Sequence, residues 1–175
     1  MSKGVILGID FSMEFTQLAY LDEDGNPQSI SFGTEDNYLI PTVVCYNSEL
    51  KEWSAGEEAV NKGRLGNSHL YKGLPEMFQE QTDNEEMDNI MTTYMSYLLK
   101  IAVNYCNGRL IKNILITLED VNPQIMEGLT KTFVKLGYSE NDIKIMSHSE
   151  SFVYYVLNQN KDIWINKVYF LNMTQ

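Results

Sequence analysis

Positive charge is scarce in this chain. Thirteen Lys and Arg stand against 24 Asp and Glu, a formal charge of -11, and no cluster of Lys and Arg forms a basic patch. A surface of that sign repels nucleic acid and anionic membranes, which excludes both as partners. Cysteine is equally sparse: Cys45 and Cys106 lie far apart without pattern, so free buried thiols in a reducing cytoplasm are expected ahead of a disulfide. The only histidines, His69 and His148, sit in separate segments without cysteine partners, which argues against a structural zinc site. No apolar run reaches membrane-spanning length, and residues 1–3 lead directly into a strand with no signal peptide between. The expectation is a soluble, cytoplasmic protein with no bound metal.

Apolar material, by contrast, is plentiful. Of 175 residues 43% are hydrophobic, with 11 Tyr and 9 Met, which suffices for one globular domain or one lobe of a larger protein. Residues 4–10 form a short apolar run, 15–21 follow closely, and a turn at Asp22-Glu23-Asp24-Gly25-Asn26 precedes 29–32, so three hairpin-linked strands are predicted. Asp22, Asp24 and Asn26 look superficially like a calcium loop, but the glycine and distal glutamate are out of register. Residues 40–46 and 52–54 read as further short strands and 55–60 as the start of a short helix.

The second half has a clearer rhythm. Met87, Ile90, Met91, Tyr94, Leu98, Ile101, Ala102 and Tyr105 recur at helical spacing, predicting a helix over 85–107 with Gly108 as its stop. Asp83, Glu85, Glu86 and Asp88 crowd its start, where carboxylates complement the helix dipole. Residues 113–118 form an apolar strand. Asn122 then caps a helix with Pro123 at its first position and Gly137 beyond its end, its buried stripe made by Ile125, Met126, Leu129, Phe133 and Leu136. A strand over 142–146, a helix over 149–158 capped by Ser149 and a last strand over 167–172 complete a parallel strand-helix alternation.

A three-stranded meander followed by two strand-helix units has the order of a ribonuclease-H-like lobe. Gly8-Ile9-Asp10, Ile40-Pro41-Thr42-Val43-Val44, Ala55-Gly56-Glu57-Glu58-Ala59, Leu115-Ile116-Thr117-Leu118, Ser147-His148-Ser149-Glu150-Ser151-Phe152 and Val168-Tyr169-Phe170-Leu171-Asn172 occur in the order that family follows. On these motifs the chain resembles the first lobe of the actin, sugar kinase and heat-shock chaperone ATPase superfamily, and most closely the seventy-kilodalton chaperone ATPase domain. The resemblance implies an α/β fold with a mixed five-stranded sheet and flanking helices. Residues 1–165 would be the first lobe, with a smaller inserted region around 40–84, and 166–175 would begin a second lobe that is truncated or absent.

The resemblance also places a phosphate loop after the first strand, with Asp10 facing a magnesium-bound water and Ser12, Met13, Glu14 and Thr16 near the phosphates. Ser12 replaces a glycine there, Met13 takes a hydroxyl position and cannot donate a hydrogen bond, and Glu14 takes another. A carboxylate ~4 Å from a phosphate charge costs roughly 4 kcal/mol at an effective dielectric of about 20, or about a thousandfold in affinity. Lys72 matches a lysine that contacts the transferred phosphate. His148 stands where the family has an acidic residue, leaving Glu150 as a displaced substitute, and Asn172 replaces an aspartate of the second phosphate motif. Ser147, His148 and Glu150 are hydrolase residue types, but no nucleophile elbow accompanies them. Phosphoryl transfer depends on positioning and charge stabilisation, so losing several anchors together weakens an ATPase reading.

The expectation is therefore a noncatalytic actin-like module that serves interaction or regulation, with no bound cofactor. Its rival is a divergent ATPase or phosphotransferase using ATP and magnesium through Asp10, Lys72 and Glu150, with the rest of its site on a second lobe. The partners expected are that lobe, another protein chain, or a second copy paired through the last strand.

Overall fold

A computed structural model describes residues 4–22, 24–33, 36–80 and 84–158. Strand β1 (Val5–Phe11) alternates as a half-buried strand must: Val5, Leu7, Ile9 and Phe11 are buried, while Ile6, Gly8 and Asp10 face the other side. Strand β2 (Phe15–Leu21) returns antiparallel to it, with Asp10 opposite Gln17 and Phe11 opposite Thr16. Strand β3 (Pro27–Ser29) adds to β2. It starts and ends earlier than expected, although Ile30 still bonds to Leu18 across the pair. The turn between β2 and β3 is stabilised locally, the Asp22 carboxylate accepting from the N–H groups of Asp24 and Asn26. Those bonds, that of Asn26 foremost, hold the exposed Asp22 carboxyl below its ordinary range.

Residues 40–46 were expected to form one strand, and they divide at Thr42. Strand β4 (Ile40–Pro41) pairs with β2 in the large sheet, whereas β5 (Val43–Asn47) leaves for a second sheet between β6 (Glu52–Ala55) and β7 (Ser68–Lys72). The large sheet is mixed, as expected, and among the described residues has six strands rather than five: β3-β2-β1-β8-β9 in order, with β4 beside β2. Strands β8 (Ile111–Leu118) and β9 (Ile143–Ser147) run parallel to β1.

Helix α1 (Gly56–Lys62) packs beside β5, and α2 (Leu74–Glu80) beside α4. Gly56 takes φ 61°, and a Cβ there would lie 2.5 Å from the Tyr97 ring, so both backbone and space demand glycine. Helix α3 (Glu85–Tyr105) is capped by Asn84, whose side chain accepts from the Glu86 N–H. It ends two residues earlier than expected, because Asn107 turns to φ 53°. Helix α4 (Pro123–Lys135) has its expected Asn122 cap and Pro123 start. Helix α5 (His148–Leu157) begins one residue early because Ser147, not Ser149, is its cap. The strand expected at 167–172 lies outside the described residues.

The core lies under the Val5–Phe11 face of β1. Leu7, Ile9 and Phe11 meet Tyr94 and Leu98 of α3 and Phe133 of α4 in one buried cluster, and Phe11 touches both Phe78 and Tyr94 ring to ring. Full burial of each such side chain contributes about 1.5–3 kcal/mol, whereas an exposed helix pair such as Lys131–Glu127 contributes about 0.3–0.5 kcal/mol. Apolar burial therefore decides this fold. Cys45 and Cys106 are free and buried, as expected, and burial pushes the Cys106 thiol pKa up.

Candidate functional site

Parallel strands β1, β8 and β9 direct their C-terminal ends to one side of the sheet, and in open α/β sheets that side holds the ligand crevice. Asp10 reaches this edge near the end of β1. His148, the first residue of α5, comes from the end of β9, and its Nε2 donates to Asp10 Oδ1 across 2.7 Å. Ser12 Oγ donates to the same oxygen at 3.3 Å. Asp10, Ser12 and His148 thus form one cluster, with the carboxylate in the middle. A nucleophilic triad needs the imidazole there, between carboxylate and hydroxyl, so this arrangement does not activate Ser12.

The turn from β1 to β2 is closed by ordinary backbone. Glu14 accepts the Thr42 N–H through its carbonyl and leaves its side chain exposed. Met13 reaches across to β7 and α2, where its Cε lies 3.2 Å from the place a Cβ on Gly73 would occupy. Gly73, at φ 65°, is a second position where glycine is required. Lys72 precedes it at the end of β7, opposite Val43, so the fold brings the lysine segment alongside the turn. A hollow of about 90 Å³ beside Ser12 and Met13 is lined by Glu76, Glu119 and Asp120 among others. With Glu14 these carboxylates give the turn a negative field. A shallower groove of about 230 Å³ on the open face of the sheet takes in Asp10, Gln17, Thr117 and Ser151. A larger hollow of about 340 Å³, lined by Asp22 and Arg109 among others, lies at the opposite end of β1 from this chemistry.

The remaining candidates are placed elsewhere. Thr16 is fully buried, and its hydroxyl meets Thr42 Oγ1 at 2.9 Å and the Tyr94 hydroxyl at 2.8 Å. It belongs to a buried core network that ties β2 to the β4–β5 crossing and to α3. Burial pushes the Tyr94 pKa up to about 12. Glu150 occupies the third position of α5, where its N–H donates to Ser147 Oγ at 3.1 Å, the main-chain half of a capping box. Asn172 lies outside the described residues. Among the described residues no group of three or more His, Cys, Asp or Glu could hold a metal ion, and no helix is long and apolar enough to cross a membrane. Sequence reasoning singled out Asp10 and His148 separately. No local signal could join them, because 138 positions separate the two.

Among solved structures, a non-polymerising mutant of MamK bound to AMPPNP is similar over 84% of this chain and 42% of its own, at 13% identity and a TM-score of 0.58. MreB 5 of Spiroplasma citri bound to AMPPNP is similar over 84% of this chain and 39% of its own, at 11% identity and a TM-score of 0.46. The chain therefore spans about two fifths of the length of these structures, and the MamK likeness shows that it has the ribonuclease-H-like fold of the actin-like ATPases. No curated protein matches the chain. Residues 26–175 match the family described as "family of unknown function (DUF5716) C-terminal", and the chain belongs to that family.

Proposed function

We propose that this chain is a noncatalytic module of the actin-like fold, cytoplasmic, whose role is interaction or regulation. In this reading residues 1–165 form the first lobe, with an inserted region around 40–84, and 166–175 begin the next. Within the superfamily the motif order from Gly8-Ile9-Asp10 to Ala55-Gly56-Glu57-Glu58-Ala59 supports a place near the chaperone ATPases.

The observation that carries the reading is the engagement of Asp10. A carboxylate that orients a magnesium-bound water must present its oxygens to that water, and here His148 and Ser12 both donate to Oδ1. Around it the residues fit phosphates poorly. Met13 offers no donor, and Glu14, Glu76, Glu119 and Asp120 line the turn and its hollow with negative charge. Several anchors of a reaction that depends on positioning and charge are missing at once.

The second reading, a divergent ATPase or phosphotransferase using ATP and magnesium, is favoured by the AMPPNP bound to the MamK neighbour and by Lys72 beside the turn. It would use Asp10, Lys72 and Glu150 with residues of a second lobe. Calorimetric titration with magnesium ATP separates the two. No heat of binding up to millimolar nucleotide is expected; micromolar affinity or turnover that Asp10→Ala abolishes would overturn the noncatalytic reading.

A further inference from the structure

The smaller sheet carries an aromatic face that the nucleotide question leaves unused. On β5, β6 and β7, alternation sends Val43, Cys45 and Leu70 to one side, where Val43 and Cys45 are buried beside Ala59. The other side receives Val44, Tyr46, Trp53, Ala55, His69 and Tyr71, of which Val44 and Ala55 are buried in the main core and Trp53 and Tyr71 pack against its edge. Tyr46 and Trp53 are direct cross-strand partners with ring centroids 4.7 Å apart. Trp53 stacks with Tyr71 at 5.9 Å, and Tyr71 meets His69 at 4.5 Å. Four rings from three strands thus make one continuous raft, half-buried at Tyr46, Trp53 and Tyr71 and exposed at His69. The Tyr71 hydroxyl donates to the Glu86 carboxylate at the start of α3, which puts a negative charge at the rim of the raft.

The segment that carries the raft is predominantly acidic. Residues 40–88 contain ten Asp and Glu and four Lys and Arg, and of those four Lys62 is already paired with Glu52 and Glu58. Aromatic faces attract cations through the ring quadrupole, and guanidinium also stacks flat on them. The fold uses the same chemistry elsewhere, with Arg109 over Tyr20 and Lys144 over Tyr154. Negative potential together with aromatic rings repels the phosphates of a nucleic acid and selects a positive, planar group.

We propose that the Tyr46–Trp53–Tyr71–His69 face docks a basic segment of a partner protein, an arginine side chain stacking on the rings with Glu86 as its counter-charge. This deepens the interaction-module reading and rests on it.

The test uses the full chain and decapeptides of alternating glycine with arginine, lysine or glutamine, titrated by calorimetry and by amide chemical shifts. The arginine peptide is expected to bind about 3–10-fold more tightly than the lysine peptide, and the glutamine peptide not at all. Trp53→Leu should weaken the arginine peptide about tenfold or more, as loss of a stacking anchor does. Glu86→Gln, an exposed change that leaves the rings intact, should weaken it about threefold to tenfold, while Glu140→Gln on the distant turn before β9 should change nothing. Binding that is equal for arginine and lysine and insensitive to Trp53→Leu and Glu86→Gln would show only diffuse charge attraction and overturn the proposal. So would absence of binding, or binding of the glutamine peptide at the same shifts. Magnesium ATP is titrated into the same sample: nucleotide binding would overturn the noncatalytic reading alone, and peptide failure with inert nucleotide would overturn the docking proposal alone.

Discussion

His148 Nε2 lies 2.7 Å from Asp10 Oδ1, tying the end of β1 to the first turn of α5. The two side chains are 38% and 48% exposed, so the contact is partly screened and contributes about 0.5–1 kcal/mol. His148→Ala and Asp10→Asn should each lower stability by that amount, moving Tm by about 2–4 °C or less for a domain of this size. The double variant should lose little more than either single one. Thermal denaturation of all four proteins in a double-mutant cycle checks this, and fully additive losses would show that the contact contributes nothing.

Ser147 rather than Ser149 caps α5, since its Oγ accepts the Glu150 N–H at 3.1 Å. Ser147→Ala should cost about 1 kcal/mol. Ser149→Ala, at the second residue of the helix and exposed, should stay within about 0.5 kcal/mol of the parent. Urea denaturation of the pair ranks them, and equal losses would remove Ser147 from the capping role.

Tyr94 donates to Thr16 Oγ1 at 2.8 Å inside the core. Tyr94→Phe keeps the ring and removes that donor, leaving Thr16 and Thr42 with each other at 2.9 Å, so a loss of about 1–2 kcal/mol is expected at pH 7. The pH dependence follows from its ionisation. Burial raises the folded-state pKa to about 12 from an ordinary value of 10.0. The unfolded chain therefore releases this proton first as pH rises, and stability that is full below pH 10 falls between pH 10 and about 12. For one group the fall approaches roughly 2–3 kcal/mol. Tyr71, Tyr97 and Tyr138, also raised by burial, act in the same direction. Urea midpoints measured from pH 8 to 12 should fall less steeply for Tyr94→Phe than for the parent.

Gly56 stands at φ 61° with the Tyr97 ring 2.5 Å from an added Cβ. Gly56→Ala should cost about 1–2 kcal/mol for the left-handed backbone alone, and more for displacing the ring. In a Tyr97→Ala background the same substitution should cost only the backbone part, which denaturation of the four proteins would resolve.

The long periodic elements were legible in the sequence because each is specified locally. Alternation in β1, helical spacing from Met87 to Ala102 and the Asn122-Pro123 start of α4 all occur where the residues place them. Strand β7 and helix α2 escaped notice for a physical reason: α2 has only seven residues and buries Leu74 and Phe78 among few others, too short a stretch for a period to emerge. The division of residues 40–46 was equally hidden. Ile40 and Val44 are both buried apolar residues, and nothing in their side chains states that they serve different sheets.

The sequence by itself determined the α/β class, the acidic surface and the residue types around Asp10, since composition, period and charge are local properties of the chain. The tertiary structure alone decided what those residues do. Thr16 could be read as a loop hydroxyl until packing buried it against Tyr94, and His148 as a strand-end residue until the parallel sheet brought it to Asp10. Local sequence sets what each segment prefers, but partners 78 and 138 positions apart are chosen by how the segments pack.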